Sequence, residues 1–169
     1  LLKGDGGVEV DKSGLFAADV SEKGVDLKHT NAKEQMQVTD QVEDIVADDK
    51  ASWTINGQTI EVQFKAYDAA NGGFGDSYGV STTGTTTTVY VNGIGGAAAT
   101  QYSAGEENTL AADVSDALEA AIEGNSILKD NFDVSVSTDT VTIEAKTDGA
   151  FEGGAGSISD ATLTGAPFT

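Results

Sequence analysis

The stretch ASWTINGQTIEVQF, Ala51 to Phe64, holds the single tryptophan of the chain and carries a turn signal at its centre. Asn56-Gly57 is the commonest pair for a two-residue type I′ turn, because both central residues of that turn require positive φ. With this pair as the loop, Trp53 lies opposite Ile60, and the apolar side chains of both arms share one side of the ladder. The stretch therefore predicts a β-hairpin with one buried face.

The composition of the chain favours β structure over a helical bundle. Its 169 residues are enough for a sizeable core, but 21 are glycine and only 7% are aromatic, which predicts a thin core and many turns. Cysteine is absent, so the chain can form neither a disulfide framework nor a thiolate zinc site.

The charge of the chain excludes several classes of partner. Asp and Glu number 28 against nine basic residues, for a formal net charge of -19. Such a surface repels phosphate backbones and anionic lipids, so we expect no nucleic-acid and no membrane partner. No apolar run is long enough to span a bilayer. A solvated surface is the ordinary interpretation, and a saline habitat or cation binding remain open alternatives.

The stretch ENTLAADVSDALEAAIEGN predicts a helix over Thr109 to Glu123, with Asn108 or Thr109 as its cap and Gly124 as its stop. Apolar residues recur there at helical spacing, whereas Asp113 lies off the stripe. The members of the stripe are Leu110, Val114, Ala117, Leu118, Ala121 and Ile122.

The following stretch, FDVSVSTDTVTIEAK, predicts a second hairpin with Thr138-Asp139 as its loop. That register places Val134 opposite Ile143 and Val136 opposite Val141, so one face is apolar. We expect the helix and this hairpin to cover each other, and the Trp53 hairpin or the strand TTTTVYV could extend the same sheet.

The remaining segments give weaker signals. EQMQV reads as a short strand, TDQVEDIVADD as one or two helical turns capped by Asp40, and Asp68 to Gly84 as a long surface loop. We divide the chain into residues 1–50, a strand-rich segment or small lobe, and residues 51–169. The predicted fold class is α+β, mainly short antiparallel strands with one amphipathic helix packed on a hairpin sheet. The predicted core residues are Trp53, Ile60, Leu110, Leu118, Ile122, Val134, Val136 and Ile143.

Residues that could carry chemistry are few. His29 is the single histidine and arginine is absent, and no nucleophile-elbow sequence accompanies them. In DAANGGFGD the residues Asp68, Asn71 and Asp76 offer oxygens for calcium, but their spacing fails the EF-hand pattern, so a flexible loop is the preferred interpretation. The sequence predicts no catalytic residue, no cofactor-binding residue and no metal ligand.

The order of elements carries a family resemblance. A TINGQTIEV hairpin, the helix TLAADVSDALEAAI and a VSVSTDTVTIEA hairpin resemble the IN motif of bacterial flagellins and hook-associated filament proteins. The resemblance covers about Ser52 to Gly149, with a long insertion from Tyr67 to Gly105. The opening LLKGDGG is similar to the Leu-Leu-x-Gly sequence that follows the N-terminal helices of many flagellins. The chain lacks the long heptad-rich helices of flagellin termini, so the resemblance implies an excised outer, variable region.

This resemblance implies a structural, surface-exposed outer domain of an extracellular bacterial flagellar filament, without enzymatic activity or a cofactor. Its partners would be other flagellin-like subunits in the full-length filament. The isolated chain is expected to be monomeric, because the inner helices do the assembling and like charges repel. The alternative is a calcium-dependent or glycan-binding adhesin or surface-layer module, and a secreted hydrolase fragment is a third possibility.

Overall fold

Two β-sheets and one long helix account for most of the residues that the computed structural model describes, which are 33–38, 42–94, 101–146 and 162–164. In chain order the elements are β1 (Lys33–Gln37), β2 (Lys50–Ile55), β3 (Gln58–Lys65), β4 (Ser77–Thr83), β5 (Thr86–Asn92), α1 (Glu107–Glu123), β6 (Phe132–Ser137), β7 (Thr140–Ala145) and β8 (Thr162–Thr164). The predicted strands in the first thirty residues, His29 and the predicted cap Asp40 lie outside the described residues.

The strands form a larger sheet of order β4-β5-β3-β2-β8 and a smaller sheet of order β1-β7-β6. Neighbouring strands are antiparallel, except that β3 and β5 run parallel. Helix α1 packs against strands of both sheets. The predicted α+β class, with mainly antiparallel strands and a helix packed on a sheet, is confirmed.

The Trp53 hairpin forms in the predicted register. Trp53 pairs with Ile60 and Ile55 with Gln58, while Asn56 and Gly57 have φ values of 48° and 74°. Both are positive, as a type I′ turn demands. Burial alternates along β2 and β3, so one face of the hairpin lies in the core.

The prediction of an unbroken surface loop from Asp68 to Gly84 is wrong in its second half. Ser77–Thr83 form β4, the edge strand that pairs with β5. The register shifts between Tyr78 and Ser81, and none of the seven residues is fully buried. A strand without a buried face shows no apolar alternation, which is why the sequence pattern misses it.

The parallel pair β3 and β5 sets the route of the chain through the larger sheet. The chain leaves β3 at Lys65, which is aligned with Asn92 of β5, and enters β4 at Ser77, which is aligned with Val91. Residues 66–76, here named the crossover loop, therefore pass the end of β5. This loop contains the candidate site.

Helix α1 begins two residues before the predicted start, so Asn108 and Thr109 lie inside its first turn and are not caps. The N-cap residue is Glu106, whose side chain makes no cap hydrogen bond to the helix and accepts one from the Ser103 N–H at 2.8 Å. Gly124 follows the last helical residue, as predicted. The predicted stripe is buried throughout. No helix among the described residues has the length and apolar character needed to cross a membrane.

The turn after α1 is organised by Asn125, which is buried. Its Oδ1 accepts from the N–H groups of Ile127 and Leu128 at 3.0 and 3.2 Å, and its Nδ2 donates to Thr87 Oγ1 at 3.0 Å. Thr87 Oγ1 in turn lies 2.7 Å from Thr82 Oγ1. A chain of neutral polar groups therefore fastens the end of the helix to β5 and β4.

The second hairpin also forms in the predicted register, with Val134 opposite Ile143 and Val136 opposite Val141. Its sheet is completed by β1, which pairs with β7, so the expectation that the Trp53 hairpin or β5 would extend it is wrong. In the larger sheet, both flanks of the Trp53 hairpin are already occupied, by β5 and β8, and β5 lies between β3 and β4.

The core is one cluster that spans both sheets and the helix. Of the predicted core residues, six are buried and Val134 is half-buried, but Val136 is 40% exposed because it lies on edge strand β6 beside the hairpin turn. The buried predicted residues are Trp53, Ile60, Leu110, Leu118, Ile122 and Ile143.

Residues before position 50 contribute to the same core. Met36, Val38, Val42 and Ile45 are buried in it, and the described residues on both sides of position 50 belong to one compact unit. The predicted division after residue 50 therefore runs through one packed unit. The predicted helical turns reduce to a 3₁₀ turn at Val42–Asp44.

Val46, which lies within the segment predicted to be helical, is 51% exposed. Its N–H donates to Asp49 Oδ2 at 3.0 Å, and the chain then turns through Asp48, whose φ is 78°. The helix cannot continue, because the backbone leaves the helical region here.

Candidate functional site

The crossover loop is held to the sheet by Asn92, the last residue of β5, whose side chain is fully buried. Asn92 Oδ1 accepts from the Asp68 N–H at 2.9 Å. Its Nδ2 lies within hydrogen-bond distance of the carbonyl oxygens of Asp68, Gly72 and Gly73, at 3.1, 3.3 and 3.2 Å. An amide is needed here, because it combines a donor and an acceptor at the tip of one short side chain.

Backbone hydrogen bonds add to this attachment. The Gly75 N–H donates to the Asn92 carbonyl at 2.8 Å, and the Asn92 N–H donates to the Asp76 carbonyl at 3.0 Å. Residues near both ends of the loop are therefore hydrogen-bonded to Asn92. A buried amide that satisfies several loop groups at once makes this loop part of the packed structure.

The three residues considered for calcium use their side chains inside the loop. Asp68 caps the 3₁₀ turn Ala69–Asn71, accepting from the Ala70 N–H at 3.0 Å and from Asn71 Nδ2 at 3.2 Å. Asp76 Oδ2 accepts from the Gly73 N–H. Over the described ranges, no three His, Cys, Asp or Glu side chains are grouped so that they could hold a metal ion.

The tip of the crossover loop contacts the segment that leads into α1. The rings of Phe74 and Tyr102 lie 5.0 Å apart, centroid to centroid, and are tilted by 59°, a favourable aromatic arrangement. The Tyr102 hydroxyl donates to Asp113 Oδ2 at 2.5 Å. Tyr102 is buried, so its hydroxyl finds its partner inside the protein.

Two glycines permit this close approach. A Cβ on Gly75, whose φ is 88°, would lie 2.5 Å from Asp113 Oδ2, and a Cβ on Gly93, whose φ is 106°, would lie 2.5 Å from Phe74 Cδ2. Both residues adopt a backbone conformation that side-chain-bearing residues rarely tolerate. The backbone of the loop therefore faces the Asp113 carboxylate directly.

Asp113 is held in an environment that favours its neutral form. Burial raises the pKa of its carboxyl to about 6, and the carboxylates of Asp116, Asp76 and Glu106 act in the same direction, while the hydrogen bond from Tyr102 opposes them. Burial and the neighbouring Asp113 also raise the pKa of the Tyr102 phenol. The arrangement can bind and release a proton near pH 6.

Sequence reasoning places Asp113 off the apolar stripe of the helix and gives Asn92 no role, so it misses both roles. The signal for Asn92 is an amide at the end of a β-branched strand, directly before glycine. The contact between Tyr102 and Asp113 follows from how the crossover loop and the helix pack, and no local pattern encodes it. His29, given no catalytic role from sequence, lies outside the described residues.

Comparisons with protein-family models, with curated proteins and with solved structures gave no match to this chain.

Proposed function

We propose that this chain is the outer, surface-exposed domain of a flagellin-like filament protein, with a structural role in coating a bacterial motility filament. The observation that carries the proposal is the sequence of hairpin, helix and hairpin, which resembles the flagellin IN motif. The three elements are β2–β3, α1 and β6–β7, and the helix packs on strands of both sheets. A motif that folds as one unit supports the resemblance.

The long insertion of the motif is built into this unit. Within residues 67–105 the chain forms β4 and β5, which complete one side of the larger sheet. An insertion that adds strands beside a hairpin suits the variable outer region of a filament, where added segments face solvent.

The charge of the chain suits the same role. A formal net charge of -19 keeps copies apart and in solution. Light scattering on the isolated chain should give the mass of a monomer at low and at moderate salt. A stable dimer at low salt would contradict the proposed role of this domain as a coat that does not itself assemble.

The decisive experiment is immunogold electron microscopy with antibodies raised against the chain. Cells that carry its gene should be labelled evenly along their flagellar filaments, and cells from which the gene is deleted should not be labelled. Labelling of the cell body without labelled filaments would overturn the proposal and favour the adhesin or surface-layer alternative. A calcium titration by calorimetry would then test the calcium-dependent form of that alternative.

A further inference from the structure

The contact between the crossover loop and the start of α1 places a carboxyl group against backbone and against other carboxylates. Asp113 accepts a hydrogen bond from Tyr102 and faces the Gly75 backbone, where a Cβ would lie 2.5 Å from its Oδ2. We propose that this contact is an acid-closed latch: it tightens when Asp113 gains a proton and loosens when Asp113 loses it.

The geometry explains why ionisation strains the contact. On the side of the crossover loop, Asp113 Oδ2 lies 2.5 Å from the position that a Cβ on Gly75 would take, so a charged form there gives up hydration. The Tyr102 hydroxyl supplies one hydrogen bond at 2.5 Å, and it can donate to a neutral carboxyl oxygen as well as to an ionised one. Protonation therefore removes the charge without removing this hydrogen bond.

The carboxylates around Asp113 also disfavour its ionised form. Asp76 faces it from the crossover loop, Glu106 from the beginning of α1 and Asp116 from the helix itself, and each favours the neutral form. Tyr102, from the segment before the helix, is the titratable neighbour that favours the ionised form. Within the part of the chain that the structure describes, the charged groups that act on Asp113 include no lysine.

The direction of the pH dependence follows from proton linkage. Burial, followed by the neighbouring carboxylates, raises the pKa of Asp113 from 3.8 to about 6 in the closed contact. The closed form therefore binds the proton more tightly than an open, solvated form. The stabilisation of the closed form over the open form that comes from this proton is fully present below about pH 4. It declines as pH rises and is lost above about pH 6.

The part that loosens is the tip of the loop. Asn92 fixes the loop at Asp68, Gly72 and Gly73, whereas Phe74 and Gly75 form the contact with Tyr102 and Asp113. Opening would separate the Phe74 and Tyr102 rings and weaken the hydrogen bond from the Gly75 N–H to the Asn92 carbonyl. That amide is therefore a direct probe of the latch.

The test combines two NMR measurements on the whole 169-residue chain. A carboxyl-carbon titration gives the protonation midpoint of Asp113. Hydrogen exchange at the Gly75 amide, corrected for the intrinsic pH dependence of exchange, gives the opening equilibrium. From pH 4.5 to 7.5 we expect about a tenfold loss of protection, since one pKa unit is a factor of ten and partial exposure reduces the full effect.

The variant Asp113→Asn removes the ionisation, so its Gly75 amide should show the same corrected protection at both pH values. Glu119→Gln is the matched control, because it removes an exposed carboxylate from the same helix and should keep the wild-type response. An Asp113 midpoint near 4, or an unchanged pH response in Asp113→Asn, would overturn the proposal.

A second variant keeps the test decisive if Asp113→Asn fails to fold. Asp76→Asn removes one facing charge and can still accept from the Gly73 N–H through its amide oxygen. It should lower the midpoint of Asp113 and move the loss of Gly75 protection to lower pH by the same amount. Loss of protection that does not follow the midpoint would refute the latch.

Discussion

Two buried asparagines, Asn92 and Asn125, lie at opposite ends of the region where α1 packs on β5. They differ in the groups that they hold. At the Asn92 end, one amide binds the crossover loop, whose tip meets the Asp113 carboxyl and the Tyr102 ring. At the Asn125 end, one amide binds a helix-terminal turn and the Thr87 hydroxyl, which is hydrogen-bonded to the Thr82 hydroxyl. The first end contains an ionisable group, whereas the second is neutral.

The spacing of the two ends shows that the helix runs along the strand. From Asp113 to its end at Glu123 the helix rises about 15 Å, at 1.5 Å per residue, and Asn125 follows two residues later. From Thr87 to Asn92 the strand spans about 17 Å, at 3.3 to 3.4 Å per residue. Helix α1 is therefore attached to the sheet at both ends of β5. The groups at each end determine how that end responds to substitution and to pH.

The largest difference in the free energy of unfolding between the two ends is expected when each asparagine is replaced by aspartate. Asn92→Asp places a carboxylate against the carbonyl oxygens of Asp68, Gly72 and Gly73 and removes the donor that they share, which should cost about 3 to 5 kcal/mol. Asn125→Asp keeps the acceptor for Ile127 and Leu128, so it should cost about 1 kcal/mol. Urea unfolding followed by Trp53 fluorescence measures both.

The smaller cost at Asn125 depends on the threonine hydroxyls. Either of Thr82 and Thr87 can be the donor in their mutual hydrogen bond, so Thr87 can turn its proton toward a carboxylate at position 125. Equal losses for the two aspartate variants would show that the two ends are chemically equivalent and would break the comparison. The added variant Asn125→Asp with Thr87→Val should lose this compensation.

A smaller contrast is expected at the glycines of the two ends. Gly75→Ala combines a φ of 88° with a Cβ 2.5 Å from the Asp113 carboxylate, and should lower the free energy of unfolding by about 1 to 3 kcal/mol. Gly124→Ala has an ordinary helical φ of -76°. Its Cβ would meet the side chain of Val80, which is 38% exposed and can turn away.

We therefore expect Gly124→Ala to change the free energy of unfolding by less than about 1 kcal/mol. The two alanine variants are measured together by urea unfolding at pH 5 and at pH 7.5. If Gly124→Ala is the more damaging variant, the close packing attributed to the Asn92 end is wrong.

The smallest expected effect compares Asp113 with a carboxyl on the smaller sheet. A hydrogen bond from Gln37, followed by one from Thr140, lowers the pKa of the exposed Asp139 below 3.8. Its stabilising contribution is present above 3.8 and is lost as pH falls through the lowered value. This sign is opposite to that of Asp113, whose contribution is lost as pH rises.

A carboxyl-carbon NMR titration should separate the two groups, with Asp139 below 3.8 and Asp113 at about 6. Gln37→Ala should return the midpoint of Asp139 toward 3.8 and leave that of Asp113 unchanged. Two midpoints that lie together near 4 would remove the electrostatic difference between these parts of the molecule.

Local rules predict the elements whose information is contained within a few residues. The Trp53 hairpin follows from Asn56-Gly57 and alternation, and α1 follows from the spacing of its apolar residues. Errors occur where a partner distant in the sequence decides the outcome. Edge strand β4 has no buried face, and its hydrogen bonds come from β5, so its own residues carry no alternating signal.

The candidate site is harder to predict from the sequence than the fold. Asn92 acts on groups 19 to 24 residues away, and the Tyr102 hydroxyl meets Asp113 only because the segment between them begins the helix. Periodicity assigned Asp113 to a position off the apolar stripe. It could not show that the crossover loop covers this side of the helix.

The pairing of β1 with β7 sets the timing of folding during synthesis. Lys33 pairs with Glu144 and Gln37 with Thr140, so more than 100 residues are added after β1 before its partner exists. At about 5 to 20 residues per second, a ribosome takes about 5 to 20 s over that interval. Until then β1 lacks its partner β7, and such long-range pairing folds slowly. The smaller sheet can close only after the helix has been made, whereas the Trp53 hairpin can form as soon as its own residues are available.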